Sequence, residues 1–212
     1  MRVTKFSHAC VRIEHGGSVV VIDPGVWSES EVALDGVDAV LITHEHADHI
    51  DADKLADALA KRPQATVFAP QAVVDKFLGE WAGLSTSVQP GQSFEAAGLA
   101  VRAYGGWHAI IHPDISRVPN NGYLVEERLY HPGDSFDVPS DASVETLFLP
   151  VSAPWLKLAE SIDFVRAVRP ARAFALHDCL DSEKSAMLVD GHLTQRAGCT
   201  YERLVPGSTI DA

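Results

Sequence analysis

The sequence predicts an α+β protein in which two mixed β-sheets pack face to face between outer helices, a four-layer αββα sandwich. Short apolar runs of strand length recur along the 212-residue chain, and most of them are closed by Gly, Pro or a polar turn. Hairpin turns join several of these runs, while other stretches have helical spacing. Two facing sheets covered by helices would bury all of the apolar runs.

The predicted strands are set by the apolar runs and by the residues that stop them. Asp23-Pro24-Gly25 ends the first β-region, and Pro70 and Pro150 close two later runs. Ala97-Gly98 is typical of a hairpin turn. We place strands at 3–22 (two or three strands), 39–42, 66–69, 99–104, 122–125, 128–130, 146–149, 172–176 and, as the last strand, 201–205.

The predicted helices are set by spacing and by their ends. The stretch after Asp51 starts with acidic residues, which favour a helix N-terminus. Two later helices stop before Arg169-Pro170 and at Gly198. We place helices at 51–59, 72–78, 161–168 and 180–197, and the whole chain, 1–212, is expected to be one domain.

Composition limits the classes of partner. Hydrophobic residues make up 46% of the chain, enough for a sizeable core, and 22% charged residues do not indicate disorder. The net charge of −12 argues against a broad basic surface for nucleic acid. It leaves room for a phosphate substrate, because divalent ions would reverse the charge locally. We expect a small-molecule substrate and no nucleic acid, and the oligomeric state is not indicated.

The cysteines and the apolar runs predict a cytoplasmic protein without a membrane anchor. Cys10, Cys179 and Cys199 are far apart and form no C-x-x-C motif, which fits a reducing compartment. Residues 1–6 lack the apolar core of a signal peptide. No apolar run approaches the roughly 20 residues that span a bilayer.

The segment His44-Glu45-His46-Ala47-Asp48-His49 predicts a metal site. It carries four metal-ligand side chains in six residues, between the predicted strand 39–42 and an acidic helix start. In extended chain, residues two apart face the same way, so His44 and His46 can converge on one ion. Asp48 and His49 lie where the chain turns and can reach a second point. This geometry suggests two ions.

The segment Thr43–His49 resembles the H-x-H-x-D-H motif of the metallo-β-lactamase-fold hydrolases. Within that superfamily the chain is most similar to the lactonase-like and uncharacterised metal-dependent hydrolase branch. Three shorter segments, in the expected order, also fit that branch: Ser7–Cys10, Ile22–Pro24 and His131–Ser135. The resemblance runs from Phe6 to about His177 and implies the αββα sandwich.

Two ions require more ligands than one motif supplies, because a zinc enzyme site uses about three protein ligands per ion. His108 follows a strand and two glycines, and the resemblance implies that it completes a set with His44 and His46. His112, four residues later, is the alternative.

The resemblance implies two further ligands at later strand ends. It assigns Asp134, in His131-Pro132-Gly133-Asp134-Ser135, as a carboxylate that bridges the two ions, although Pro-Gly-Asp is also a common turn. It assigns His177, which ends the strand 172–176, to the second ion together with Asp48 and His49. His192 is the alternative, but it lies in helical sequence.

Other residues have weaker assignments. Asp23 either accepts a hydrogen bond from a metal-bound histidine or forms a simple Asp-Pro turn. His8 and His112 are candidates for lining the pocket, and Trp107 and Trp155 either wall it or belong to the core. Ser135 lacks the G-x-S-x-G context of a serine nucleophile.

The predicted activity is metal-dependent hydrolysis of a small ester, lactone or phosphoester by a hydroxide held between two metal ions, with Asp48 as the catalytic residue that orients it. The expected cofactors are two divalent ions, zinc first, with manganese, iron or nickel as alternatives. A phosphodiesterase or nuclease-type hydrolase and a non-catalytic metal-binding protein are the rival functions. A redox diiron protein of this fold would want a carboxylate in place of His46.

Overall fold

A computed structural model of the chain describes residues 1–77, 79–81 and 83–212. Its strands form two seven-stranded sheets with the orders β14-β1-β2-β3-β4-β5-β6 and β13-β12-β11-β10-β9-β8-β7. The first sheet contains β1 Arg2–Lys5, β2 Val11–His15, β3 Ser18–Ile22, β4 Ala39–Leu41, β5 Thr66–Ala69, β6 Ser85–Ser87 and β14 Ser208–Asp211. The second contains β7 Ser93–Ala96, β8 Leu99–Gly105, β9 Asn121–Val125, β10 Leu129–His131, β11 Thr146–Pro150, β12 Arg172–Leu176 and β13 Thr200–Glu202.

Both sheets are mixed in the same way. Strands β1 to β3 pair antiparallel, and β3 to β6 pair parallel. Strands β7 to β10 pair antiparallel, and β10 to β13 pair parallel. The two halves of the chain therefore repeat one topology, and β14 extends the first sheet beside β1. The sequence shows no internal repeat that would have indicated this.

The helices form the two outer layers. They are α1 Ser30–Ala33, α2 Ala52–Lys61, α3 Gln71–Phe77, α4 Leu158–Val168 and α5 Glu183–Arg196. Leu55 and Leu59 of α2 pack with Val40 of β4 on the outer face of the first sheet. On the second sheet, α4 and α5 cover the outer face of β11 and β12. Burying one such leucine stabilises the fold by roughly 1.5–3 kcal/mol.

The central core lies between the sheets. Strand alternation explains it, since Val20 and Ile22 face the opposite sheet whereas Val21 faces the helices. Tyr123 lies in this core and its hydroxyl donates to the Ile42 carbonyl, 2.8 Å away. The predicted αββα sandwich of two mixed sheets is confirmed.

Several details of the predicted elements are wrong. Helix α4 begins at Leu158 instead of 161, and strand β13 ends at Glu202 instead of 205. The strand predicted at 201–205 is not the last, because β14 follows it and pairs with β1. Helix α5 begins at Glu183 instead of 180, since Ser182 caps it by accepting from the Ser185 amide. The short elements α1 and β6 were not predicted. In the predicted helix 72–78, residue 78 lies outside the described residues. Within the described ranges, no helix has both the length and the apolar character needed to cross a bilayer.

Candidate metal centre

The histidine-rich segment lies in the loop between β4 and α2. Strand β4 ends at Leu41, so the segment is a loop and not the extended strand from which its geometry was predicted. Asp51 caps α2 by accepting a hydrogen bond from the Lys54 amide at 3.1 Å. Gly25 lies against this loop, and a Cβ there would overlap the Asp48 carbonyl. The loop is therefore held between a helix cap and a glycine.

His44, His46 and His108 come together as a first cluster. His44 Nε2 lies 3.0 Å from His46 Nδ1, and the His108 ring centroid is 5.0 and 4.8 Å from those of His44 and His46. His44 and His108 are buried, whereas His46 is partly exposed. His46 thus offers its Nδ1 where His44 offers its Nε2, which lets two residues of one tight loop converge.

Asp48, His49 and His177 come together as a second cluster, and His8 lies beside them. Asp48 Oδ2 is 3.4 Å from His177 Nε2 and 3.9 Å from His49 Nε2. The two histidines are buried, while the Asp48 side chain is 17% exposed. This cluster therefore has its carboxylate on the side that solvent reaches.

Asp134 lies between the two clusters. Its Oδ1 is 3.1 Å from His49 Nε2, and its Oδ2 is 3.3 Å from His108 Nε2 and 3.2 Å from His177 Nε2. Gly133 adopts φ +63°, and a Cβ there would collide with Asn120 and Thr43. Only glycine fits this turn, which aims Asp134 into the site.

Four buried polar atoms at this point make no hydrogen bond: Nε2 of His49, His108 and His177, and Oδ1 of Asp134. Buried polar atoms without a partner are rare, because each costs roughly 1–3 kcal/mol. His49 Nε2 faces Asp134 Oδ1 at 3.1 Å, and His108 Nε2 and His177 Nε2 face Asp134 Oδ2 at 3.3 and 3.2 Å, in each case without hydrogen-bond geometry. Imidazole and carboxylate donors that converge without partners fit divalent metal ions.

The other ring nitrogen of these three histidines, Nδ1, has a hydrogen-bond partner in each case. His108 Nδ1 donates to the Ala109 carbonyl and His177 Nδ1 to the Ser152 carbonyl, each at 2.6 Å. His49 Nδ1 lies 2.7 Å from Asp23 Oδ2. Such contacts fix the ring and leave Nε2 as the free donor atom for a metal.

Of the two roles considered for Asp23, the structure places it beside a candidate ligand histidine, His49. Its carboxylate also accepts from the Thr43 amide at 2.8 Å and from the Thr43 hydroxyl at 2.7 Å. Thr43 Oγ1 lies 3.0 Å from His44 Nδ1. One buried carboxylate therefore orients residues that belong to both clusters.

The histidines and carboxylates of the site shift one another's pKa values. Burial disfavours a charged His177, but Asp134 and Asp48 outweigh burial and raise its pKa to about 9. The pKa of His49 is likewise raised, because Asp134 and Asp23 outweigh its burial. Burial opposes ionisation of Asp134, but His49 and His177 outweigh it and hold its pKa well below the usual range. Ions that bind here take the place of the histidine protons.

The alternative ligands lie elsewhere. The His112 side chain is 60% exposed and accepts from the Asp114 amide. His192 is on the exposed surface of α5 beside Arg196. Ser135 donates its hydroxyl to the Pro132 carbonyl, a turn contact.

Three supporting residues were not given their roles by sequence reasoning. The Trp155 indole donates to Asp134 Oδ2 at 2.9 Å. Asn120 Oδ1 accepts from the Asp134 amide at 3.0 Å, and Thr43 joins Asp23 to the first cluster. Thr43 precedes the motif directly, which was a usable signal, but Trp155 and Asn120 carry no local pattern. Trp107, the other candidate wall residue, is 53% exposed.

A family model described as a β-lactamase superfamily domain matches residues 2–177. The chain belongs to the metallo-β-lactamase superfamily. Protein Rv0786c of Mycobacterium tuberculosis is 38% identical over 99% of both chains. A protein of Bacillus mycoides, named a UPF0173 metal-dependent hydrolase, is 39% identical over 41% of this chain and 37% of its own.

Solved structures agree at the level of the fold. Igni18 of Ignicoccus hospitalis, described as a novel metallo hydrolase, superimposes with a TM-score of 0.74 at 19% identity, over 99% of this chain and 97% of its own. The family model and the relatives named metal-dependent hydrolases confirm the prediction of a hydrolase from the metallo-β-lactamase superfamily. The histidine and aspartate clusters form its candidate metal site.

Proposed function

We propose that the protein hydrolyses small esters or lactones with two divalent metal ions, zinc first among the candidates. His44, His46 and His108 would hold one ion, Asp48, His49 and His177 the other, and Asp134 would contact both. The observation that carries the proposal is the set of four unpartnered buried ligand atoms between the two clusters. Two ions, when bound, supply an activated water and polarise the substrate oxygen.

Asp48 is proposed as the catalytic residue. Its side chain is 17% exposed, whereas that of Asp134 is 3% exposed, so Asp48 is the carboxylate that can meet an entering water. His8 and His177 contact Asp48 Oδ2 and keep that carboxylate ionised, so its pKa stays below the usual range although burial opposes this. An ionised Asp48 carboxylate can orient a nucleophile by accepting its proton in a hydrogen bond.

Apolar side chains near the centre favour a substrate with an apolar group. Trp27 is 46% exposed and its ring lies 5.0 Å from that of His8. Trp107 precedes His108 and is 53% exposed, and Ile110 and Ile115 are exposed in the loop that follows. Exposed apolar side chains next to residues of a polar site, such as Trp27 beside His8, are typical of binding sites for partly apolar small molecules. An acyl ester or a lactone with an alkyl chain has this character.

A phosphoester is the second candidate, and Arg117 supports it. Its Nε donates to the His108 carbonyl at 2.8 Å, and its guanidinium lies 5.8 Å from the Trp107 ring centroid. A guanidinium fixed beside the centre could pair with a phosphate oxygen. The overall charge of −12 disfavours a nucleic-acid substrate within this class.

The three free cysteines support a cytoplasmic location.

The test combines metal analysis with a hydrolysis screen. Wild type, chelator-treated protein and Asp48→Asn are assayed with alkyl lactones, aryl esters and phosphodiesters. We expect two ions per chain, loss of turnover on chelation and recovery with zinc. Asp48→Asn should lower kcat by about 10³-fold or more, roughly 4 kcal/mol of barrier, with the fold intact.

Three outcomes would contradict the proposal. Full activity after chelation would exclude the metal mechanism. Bound ions without hydrolysis of any probe would favour a non-catalytic metal-binding protein. Turnover of phosphodiesters alone, reduced by Arg117→Ala, would replace the ester and lactone class by the phosphoester class.

A further inference from the structure

His8 lies buried against the second cluster and contacts two of its three members. Its Nε2 is 3.1 Å from Asp48 Oδ2, and its carbonyl accepts from the His177 amide at 3.0 Å. The His8 and His177 rings are stacked obliquely with centroids 3.9 Å apart. One residue therefore holds Asp48 by its side chain and His177 by its main chain.

The backbone of His8 is shaped for this double contact. Its φ of +60° lies in the left-handed region, which non-glycine residues adopt rarely and mostly where the surrounding structure enforces it. The side chain is fully buried. A costly backbone conformation at a buried histidine beside the site indicates a role beyond filling space.

His8 differs from the proposed ligands in how its nitrogens are satisfied. The Nε2 atoms of His49 and His177 have no hydrogen-bond partner, as a metal-binding atom requires. Both nitrogens of His8 have one, because Nδ1 lies 3.1 Å from Cys179 Sγ. His8 therefore supports the cluster from behind and is not the fourth ligand that its proximity to Asp48, His49 and His177 could suggest.

The chemistry of the partners fixes the direction of these bonds. An ionised Asp48 can only accept, so His8 Nε2 carries the hydrogen. A fully buried ring without a second carboxylate partner stays neutral, so Nδ1 is an acceptor. Cys179 then donates its S–H to Nδ1. The result is a relay of two hydrogen bonds: Cys179 donates to His8, and His8 donates to Asp48.

We propose that His8 is a positioning residue for the second metal ion, fixed in its tautomer by the Cys179 thiol. The proposal rests on the proposed two-metal function. It requires an N–H donor aimed at Asp48 Oδ2, because a hydrogen bond from His8 orients the carboxylate that binds the ion. Partners of this kind typically raise metal affinity about 10–100-fold.

The test compares His8→Leu with His8→Gln in the full-length protein. Leucine fills similar space without a donor, whereas the glutamine Nε2 can reach the position of the histidine Nε2. Each protein is equilibrated with buffered free zinc, and bound zinc is counted. Cobalt loading followed by visible absorption reports the two sites separately. Melting of the chelator-treated proteins checks the fold.

We expect His8→Leu to weaken the second ion about 10–100-fold, to leave the first within about twofold and to be largely rescued by His8→Gln. If His8→Gln loses the second ion as completely as His8→Leu, His8 is a ligand and the positioning role is wrong. If His8→Leu binds both ions like wild type, His8 has neither role. A wild type that binds a single ion overturns the two-metal function instead. In that case, equal binding of the ion by wild type and His8→Leu would overturn the role of His8 as well.

Cys179 gives a matched second test. Cys179→Ala removes the donor to Nδ1, whereas Cys179→Ser keeps a hydroxyl donor there. We expect a several-fold loss of second-ion affinity for the alanine variant and a smaller loss for the serine variant. Cys199→Ser is the control, since Cys199 packs against the apolar residues that α4 and α5 bury on the outer face of the second sheet. An unchanged affinity in Cys179→Ala would overturn the thiol's part of the proposal.

Discussion

The two clusters of the centre are built differently although one loop starts both. The first cluster contains three histidines and no carboxylate of its own. The second contains Asp48 and is backed by Asp23 and His8, each within hydrogen-bond distance of a cluster member. The first cluster therefore depends on Asp134 for negative charge, while the second has its own. The loop 44–49 therefore contributes to a neutral binding position and to an anionic one beside it.

The largest effect is expected from removing Asp134, the group that both clusters share. We expect Asp134→Ala to abolish binding of both ions and to reduce turnover by about 10³-fold or more. The reason is that His108, His49 and His177 all lose the carboxylate they face. Zinc counting and kcat measurement check this. Asp141→Asn, an exposed carboxylate paired with Arg102, should behave like wild type.

Removing one histidine from each cluster should separate them. His108→Ala is expected to lose the first ion and His177→Ala the second, each with turnover lower by about 10²–10³-fold. The loss of bound ion should be more complete for the first cluster, because Asp134 is its one proposed anionic ligand, whereas the second cluster also has Asp48. Cobalt absorption read at one and at two equivalents distinguishes the two variants. Identical spectra for both would mean that the ions bind only as a pair.

The loop that carries both clusters can be displaced without touching a ligand. A Cβ at Gly25 would overlap the backbone of Asp48 and His49, so Gly25→Ala must shift the loop. We expect a destabilisation of about 1–3 kcal/mol, with a greater loss of the second ion than of the first. Chemical denaturation and zinc titration measure the two effects. Gly191→Ala in α5 is the control and should weaken neither ion, because Gly191, like Gly25, lies outside the left-handed region and a Cβ there would meet no atom.

The metal-free protein should lose stability as pH rises. In the folded state Asp134 and Asp48 raise the pKa of His177 to about 9, although burial opposes this, from the ordinary histidine value of 6.5. Between these values the folded state binds more protons than the unfolded state, so the stabilisation is complete below pH 6.5 and is lost as pH rises through about 9. The slope is at most about 1.4 kcal/mol per pH unit per proton. The charged or titratable groups that contact His177 are Asp48, Asp134, His8 and His49.

Melting temperatures at pH 6.5 and 9 check this prediction. Chelator-treated wild type should melt lower at pH 9, and His177→Gln should have a shallower dependence. The zinc-loaded protein should not follow this trend, because the ions replace the protons. A chelator-treated wild type that is equally stable at both values would contradict the raised pKa.

Trp155 supplies one hydrogen bond to the carboxylate that lies between the clusters. Trp155→Phe keeps the ring against His108 but removes the indole donor to Asp134 Oδ2. A hydrogen bond to a charged group contributes about 1.5–3 kcal/mol, so affinity for the ions should fall roughly 10–100-fold and equally for both. Zinc titration tests this. A loss of affinity for only one of the ions would mean that Asp134 contributes unequally to the two clusters.

Much of the fold was predictable because its signals are local. The strands at 66–69 and 172–176 match the observed bounds, since short β-rich runs closed by a turn leave little choice. Strand β14 was missed because Ser208–Asp211 has no apolar alternation and pairs with β1 from the other end of the chain. The repeated topology of the two halves was also invisible, since it lies in strand pairing.

The family and the αββα sandwich were predictable from the sequence alone, as was the choice of seven candidate ligands that the structure brings together. This was possible because metal ligands must be of a few residue types at strand ends, and these leave a readable pattern. The groups that hydrogen-bond to those candidate ligands became visible only in the tertiary structure. Trp155, Asn120 and the relay from Cys179 through His8 to Asp48 join distant segments, up to 171 residues apart, and hydrogen bonds of that span follow from packing.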